Sequence, residues 1–169
     1  RKRDKRVYKR LEAGHWEADT VVSGLGKSKA CFVTLAERKT RYYIAMKLPD
    51  KRADTVENGI VKLLSQFPSQ LVKSITCDRG TEFANWANIE QRLNCDVYFA
   101  DPYCAWQKGS NENSNGLLRE FYPKGRNLSR VAPATLKRNL VLINTRPRKV
   151  LGFRSAADLW ASVLALCCT

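Results

Sequence analysis

His15-Trp16-Glu17-Ala18-Asp19-Thr20-Val21-Val22 reads as a β-strand with an acidic face, because alternation puts Glu17 and Asp19 on one side with Val21 beyond them. Aspartate has poor strand propensity and is costly to bury unpaired, so a carboxylate in mid-strand is out of place in a purely structural part. The strand runs into the turn-prone Ser23-Gly24-Leu25-Gly26. Two more strands follow, Ala30–Glu37 and Tyr42–Leu48, joined by the short polar Arg38-Lys39-Thr40-Arg41. Strands connected so tightly make an antiparallel meander.

Past the meander the apolar period lengthens. Ala53–Gln66 carries Val56, Ile60, Leu63 and Leu64 at helical spacing, and Phe83, Trp86, Ile89 and Leu93 predict a second helix. Between and after them, Ser74–Asp78 and Asp96–Ala100 read as short strands. Three further helices are expected at Asn111–Tyr122, Pro133–Asn144 and Ser155–Leu166, the last with Ser155 and Asp158 as a capping box. The expected fold class is α/β: a mixed five-stranded sheet, three antiparallel strands then two further strands, flanked by helices. This is the element order of an RNase H-like domain. Trp16 and Trp86 sit in periodic apolar settings and are expected in the core, whereas Trp106 and Gln107 lie in a loop that would rim a site.

The chain has 169 residues, the size of one domain, with residues 1–13 expected as a basic linker or arm and 14–169 as the folded core. Its formal net charge is +14. Arg1–Arg10 holds seven basic residues and one acid, yet the remainder is strongly positive too, which calls for a polyanionic partner. No basic amphipathic helix suggests a membrane surface, no apolar run approaches the roughly 20 residues that span a bilayer, and the basic start leads into no apolar signal segment. A cytoplasmic protein associated with the nucleoid is therefore expected. Six cysteines and one histidine fit no zinc spacing. Cys31, Cys77 and Cys95 are expected as buried free thiols and Cys167 and Cys168 as exposed ones.

Two more carboxylates complete a set with Asp19. Asp78 closes the strand Ser74-Ile75-Thr76-Cys77 at its C-terminal end, the edge where ligand sites of α/β sheets collect. Glu112 opens a helix in Lys108-Gly109-Ser110-Asn111-Glu112-Asn113. Phosphoryl transfer gives such a trio a use. Two Mg²⁺ ions held roughly 4 Å apart activate the attacking oxygen and stabilise the leaving one. Oxygen ligands suffice for Mg²⁺, with Mn²⁺ as a substitute, and no histidine is needed. Each acid alone has a structural use: Asp19 in a salt bridge, Asp78 capping the turn Asp78-Arg79-Gly80-Thr81, and Glu112 at a helix start.

Longer stretches narrow the choice. Residues 14–22 (GHWEADTVV), 76–83 (TCDRGTEF), 98–125 (YFADPYCAWQKGSNENSNGLLREFYPKG) and 144–153 (NTRPRKVLGF) resemble transposases of the insertion sequence thirty family. The 33 residues between Asp78 and Glu112 match the spacing of that family's Asp-Asp-Glu triad. The resemblance implies that Asp19, Asp78 and Glu112 are the catalytic and metal-binding acids. It implies that water cleaves DNA at the transposon ends and that the freed 3′-hydroxyl is transferred to target DNA by transesterification. It also implies self-association on DNA and a helix-turn-helix region upstream of this chain. Arg79 departs from the pattern, standing where asparagine is expected.

The DNA grip is expected on the polar stripe Lys108, Asn111, Asn115 and Arg119, which shares a helix face with Glu112. Lys124, Arg146, Arg148 and Lys149 add basic groups that would hold phosphates rather than read bases. Glu17 is expected to support Asp19, and His15 to hydrogen-bond at the strand end. A ribonuclease H or junction nuclease would share the carboxylates without the 98–125 stretch. A non-catalytic DNA-binding or assembly domain would share the fold alone.

Overall fold

The computed structural model describes residues 5–101 and 105–167, with the side chains of Lys5, Arg6, Ala105 and Trp106 excepted. The expectations for Cys168 and the Trp106 ring lie outside the described residues. Five strands, β1 (His15–Val22), β2 (Cys31–Glu37), β3 (Tyr43–Leu48), β4 (Ser74–Cys77) and β5 (Asp96–Phe99), form one sheet in the order β3-β2-β1-β4-β5. The first three pair antiparallel as the meander requires, while β4 and β5 run parallel to β1.

Helices pack on both faces, which β2 shows most clearly since every residue in it is buried. Its Cys31, Val33 and Leu35 join one apolar cluster with Val56, Ile60 and Leu64 of α2 (Ala53–Leu64) and Ile89 of α3 (Trp86–Leu93). Phe32 and Ala36 join another with Leu118 of α4 (Gly109–Phe121) and Leu136 and Ile143 of α5 (Pro133–Thr145). α6 (Ala156–Cys167) closes the first cluster through Trp160, which stands edge-on to Trp16 at 5.4 Å and stacks on Tyr42 at 5.3 Å. The capping box forms as expected, Ser155 Oγ accepting from Asp158 N at 3.1 Å while the Ser155 hydroxyl donates to Asp158 Oδ2 at 2.6 Å.

Three departures from expectation have local causes. The helix expected from Phe83 breaks into a 3₁₀ turn, Thr81–Phe83, and α3, because Asn85 leaves helical geometry at φ −85° and ψ 25°. Trp86 is then left at the first turn of α3 and is 38% exposed rather than part of the core. Within the expected basic arm, a single helical turn, α1 (Lys5–Tyr8), docks Val7 against the body, where its carbonyl accepts from Arg38 Nε at 3.3 Å.

α4 is tied to β1 at both ends. Near its start the Asn111 N–H donates to Glu17 Oε2 at 2.8 Å. Past its end, Gly24 N donates to Arg126 O at 3.0 Å and Leu128 N to Ser23 Oγ at 3.1 Å. The second anchorage needs glycine, since a Cβ at Gly24 would sit 2.3 Å from the carbonyl oxygen of Gly125.

Candidate active site

β1 and β4 pair in parallel register only as far as Glu17 opposite Thr76. Two residues further along each chain, Asp19 and Asp78 stand level at the C-terminal edge of the sheet. Lys108, preceding α4, reaches both: its Nζ lies 2.9 Å from Asp78 Oδ2 and 3.7 Å from Asp19 Oδ1. Asn115, two turns on, donates from Nδ2 to Asp19 Oδ2 at 3.1 Å and is itself aimed by the Tyr43 hydroxyl, which donates to its Oδ1 at 2.7 Å. Glu112 lies between these contact points, four residues after Lys108 and three before Asn115, on the same helix face and exposed. Its carboxylate does not join the aspartates. Among the described residues no three acidic, histidine or cysteine side chains converge closely enough to hold a metal ion.

The two aspartates are tuned in opposite directions. Burial pushes the Asp19 carboxyl up, and the charges of Asp78 and Glu82 add to that against the pull of Lys108 and the Thr20 N–H. Burial alone would push Asp78 up as well, but the hydrogen bond and charge of Lys108, with the Gly80 N–H, bring it below the usual carboxylate value. Lys108 is correspondingly raised: the two aspartates outweigh the cost of its burial. One ammonium thus offsets two carboxylates, and the pair keeps an excess of negative charge in a partly desolvated corner.

Four supporting groups, Tyr43 among them, escaped sequence reasoning. Arg38, read as turn residue, is 2% exposed and folds back under the sheet, where its guanidinium pairs with the fully buried Glu17 and donates to Gln107 O at 2.9 Å. It thereby joins β1 to the segment that delivers Lys108. Glu82, buried beside the site, accepts from the Thr20 hydroxyl at 3.1 Å and pairs with Lys51 at 2.7 Å. Gly80 makes room for both acids, since a Cβ there would come within 2.2 Å of Glu82 Oε2 and 2.9 Å of Asp78 Oδ1. The only signal for Arg38 was indirect: a mid-strand Glu17 that must be buried needs a cation. Tyr43 carried none. His15 bonds as expected, Nδ1 to Ser74 Oγ at 2.8 Å.

The expected DNA-facing residues divide. Asn111 is a correction: it is fully buried, its amide donating to Glu17 O at 2.7 Å and Thr34 O at 3.3 Å, so it staples α4 to the sheet and faces no phosphate. Lys108 and Asn115 point at the aspartates. Arg119 lies half-buried over the end of β1, donating to Val22 O at 3.3 Å. Arg148 is also half-buried and donates to Ile143 O at 3.2 Å. Arg146 is exposed and paired with Glu120 at 3.1 Å, while Lys124 and Lys149 stand free in solvent among the described residues. The thiols of Cys31 and Cys77 are buried and that of Cys167 exposed, as expected, while Cys95 is half-buried.

The integrase core domain family matches residues 10–105, more than half of the chain and inclusive of Asp19 and Asp78. The chain belongs to that family. This integrase core domain is 39% identical over 158 residues to the probable transposase for insertion-like sequence element IS1161 of Streptococcus salivarius, covering 94% of this chain and 44% of the relative. It is 37% identical over 164 residues to transposase InsI for insertion sequence element IS30C of Escherichia coli (strain K12), covering 97% of this chain and 42% of the relative. The resemblance to the insertion sequence thirty family is borne out, and the domain spans less than half the length of these relatives. The crystal structure of the catalytic core domain of BIV integrase has the same fold, with a TM-score of 0.69 at 17% identity, covering 94% of this chain and all of that one. Among the described residues no helix of the integrase core domain is long and apolar enough to cross a membrane.

Proposed function

We propose that this domain is the catalytic core of a DNA transposase, cutting DNA at the ends of a mobile element and joining the freed 3′-hydroxyls to target DNA. The observation that carries the reading is the level placement of Asp19 and Asp78 at the sheet edge with one ammonium between them, under a helix face that also bears Glu112. The donors are all carboxylate oxygens and the pair is short of positive charge, which suits Mg²⁺, or Mn²⁺ in its place. Asp19, Asp78 and Glu112 would hold the metal, and two bound ions would supply activation of the attacking oxygen and stabilisation of the leaving one. The protein's own part is to aim and to neutralise. Arg38 and Glu17 fix the start of α4, Asn115 turns the Asp19 carboxylate, and Lys108 puts a positive charge where a phosphodiester would lie. Arg119, Lys124 and Lys149 would take backbone phosphates further along the duplex, with DNA ends and target as partners in a self-associated assembly. Recognition of the element's ends would fall to a region outside the matched segment, with residues 1–13 leading from it.

Glu112→Gln tests this. With Mn²⁺ or Mg²⁺ and a duplex carrying the element's end, nicking should fall at least about 100-fold, as for loss of an essential transition-state contact, while duplex binding in EDTA stays within about twofold. Cleavage that survives the change would place the chemistry elsewhere.

A further inference from the structure

Beside Asp78 the surface opens into a pocket of about 590 Å³, lined by Arg79, Thr81, Trp86, Phe99 and Asp101. Two features that the catalytic reading leaves unused meet there. Trp86 stands exposed at the start of α3, its ring edge-on to Phe99 at 6.1 Å. Arg79, next in sequence to Asp78, is exposed and makes no hydrogen bond or ion pair among the described residues. An exposed indole is a poor core element but a good platform for a flat partner, and a free guanidinium suits a phosphate. The volume falls in the range of small-ligand sites.

We propose that this pocket receives one nucleobase unstacked from the DNA strand that lies across Asp19 and Asp78, the base packing against Trp86 and Phe99 while Arg79 takes its phosphate. The inference rests on the catalytic reading for its choice of ligand. A strand held at Asp78 runs past Arg79 within a residue's length, so the next nucleotide is the group nearest the pocket. Asp101 bears on which edge of the base is held. Its Oδ2 accepts from Gln107 Nε2 at 3.0 Å, which fixes the carboxylate at the rim as an acceptor for an exocyclic amine. A peptide aromatic would also stack on Trp86, but nothing about it would call for a cation beside the acidic pair.

The test is binding in EDTA, without catalysis, to a short duplex with a five-nucleotide single-stranded tail, in which each tail position in turn is replaced by an abasic residue. The wild-type domain should lose roughly 5- to 150-fold in affinity at one position, the value of one base stacked on an aromatic ring. Trp86→Ala should bind intact and abasic tails alike, and Trp86→Phe should keep most of the discrimination. Because the indole is exposed, neither change threatens the fold. Arg79→Gln should weaken intact and abasic tails equally and flatten the salt dependence. Equal affinity of the wild type for all tails, or discrimination that survives Trp86→Ala, overturns the pocket. Discrimination in a domain that proves unable to cleave would uphold the pocket while removing the catalytic reading, so the two fail separately.

Discussion

Lys108 serves two carboxylates that differ in their readiness to ionise, and this makes the site's electrostatics measurable by pH. Asp78 lies below its ordinary value, so its ionised form adds stability that is present above the usual carboxylate range and lost as pH falls through the folded value. Asp19, raised by burial, works the other way: stability is lost as pH rises through its folded value. Lys108→Met removes the shared counter-charge and pushes both carboxyls up. The variant should melt closest to the wild type at acid pH, where both carboxyls are protonated, and fall progressively behind it as pH rises through the carboxylate range. A melting difference independent of pH would show that the ammonium contributes packing only. At this scale the sequence was legible for the acids, since Asp19 and Asp78 announce themselves as carboxylates in or ending apolar strands. It was not legible for their keepers. Arg38 is one of four polar turn residues, and only the fold shows which of them returns beneath the sheet to meet Glu17. Asn111 misled for the same reason, its helical spacing from Asn115 saying nothing of how deeply the first turn of α4 is sunk.

Among the elements, strands and helices followed their apolar periods closely because the sheet is buried on both faces and nearly every residue of β2 has a packing duty. The break ahead of α3 was hidden because Phe83 continues the spacing of Ile89 and Leu93 while belonging to a separate turn, held by Gly80 and Glu82 around the site. α6 shows how a local signal supports a distant contact. The Ser155–Asp158 box fixes the helix start, and one turn later Trp160 closes the aromatic group around Trp16. Ser155→Ala should cost about 1 kcal/mol in urea melts, the usual value of a lost N-cap hydroxyl. No measurable loss would mean that Trp160 alone positions the helix.

The molecule as a whole carries +14, but only part of that charge is free to meet DNA. Arg38 is committed to Glu17 and Arg146 to Glu120, whereas Lys124 and Lys149 stand in solvent. Binding to duplex DNA in EDTA should therefore weaken steeply with salt, and Lys124→Gln or Lys149→Gln should each reduce the log–log slope by about 0.9 if that lysine neutralises a phosphate. Arg148→Gln should leave the slope unchanged and lower the melting temperature instead, because its guanidinium is half-buried against the carbonyl of Ile143. A slope insensitive to either lysine would place the duplex on another face. The double attachment of α4 to β1 has a mechanical corollary for any assembly built on this domain. A beam built in at both ends moves only with its wall, so Asp19 and Glu112 ride as one fixture. Asp78 sits at the end of a buried strand paired on both sides and is clamped to the root of the same beam by Lys108, so the jaws of the vice face each other across a set gap.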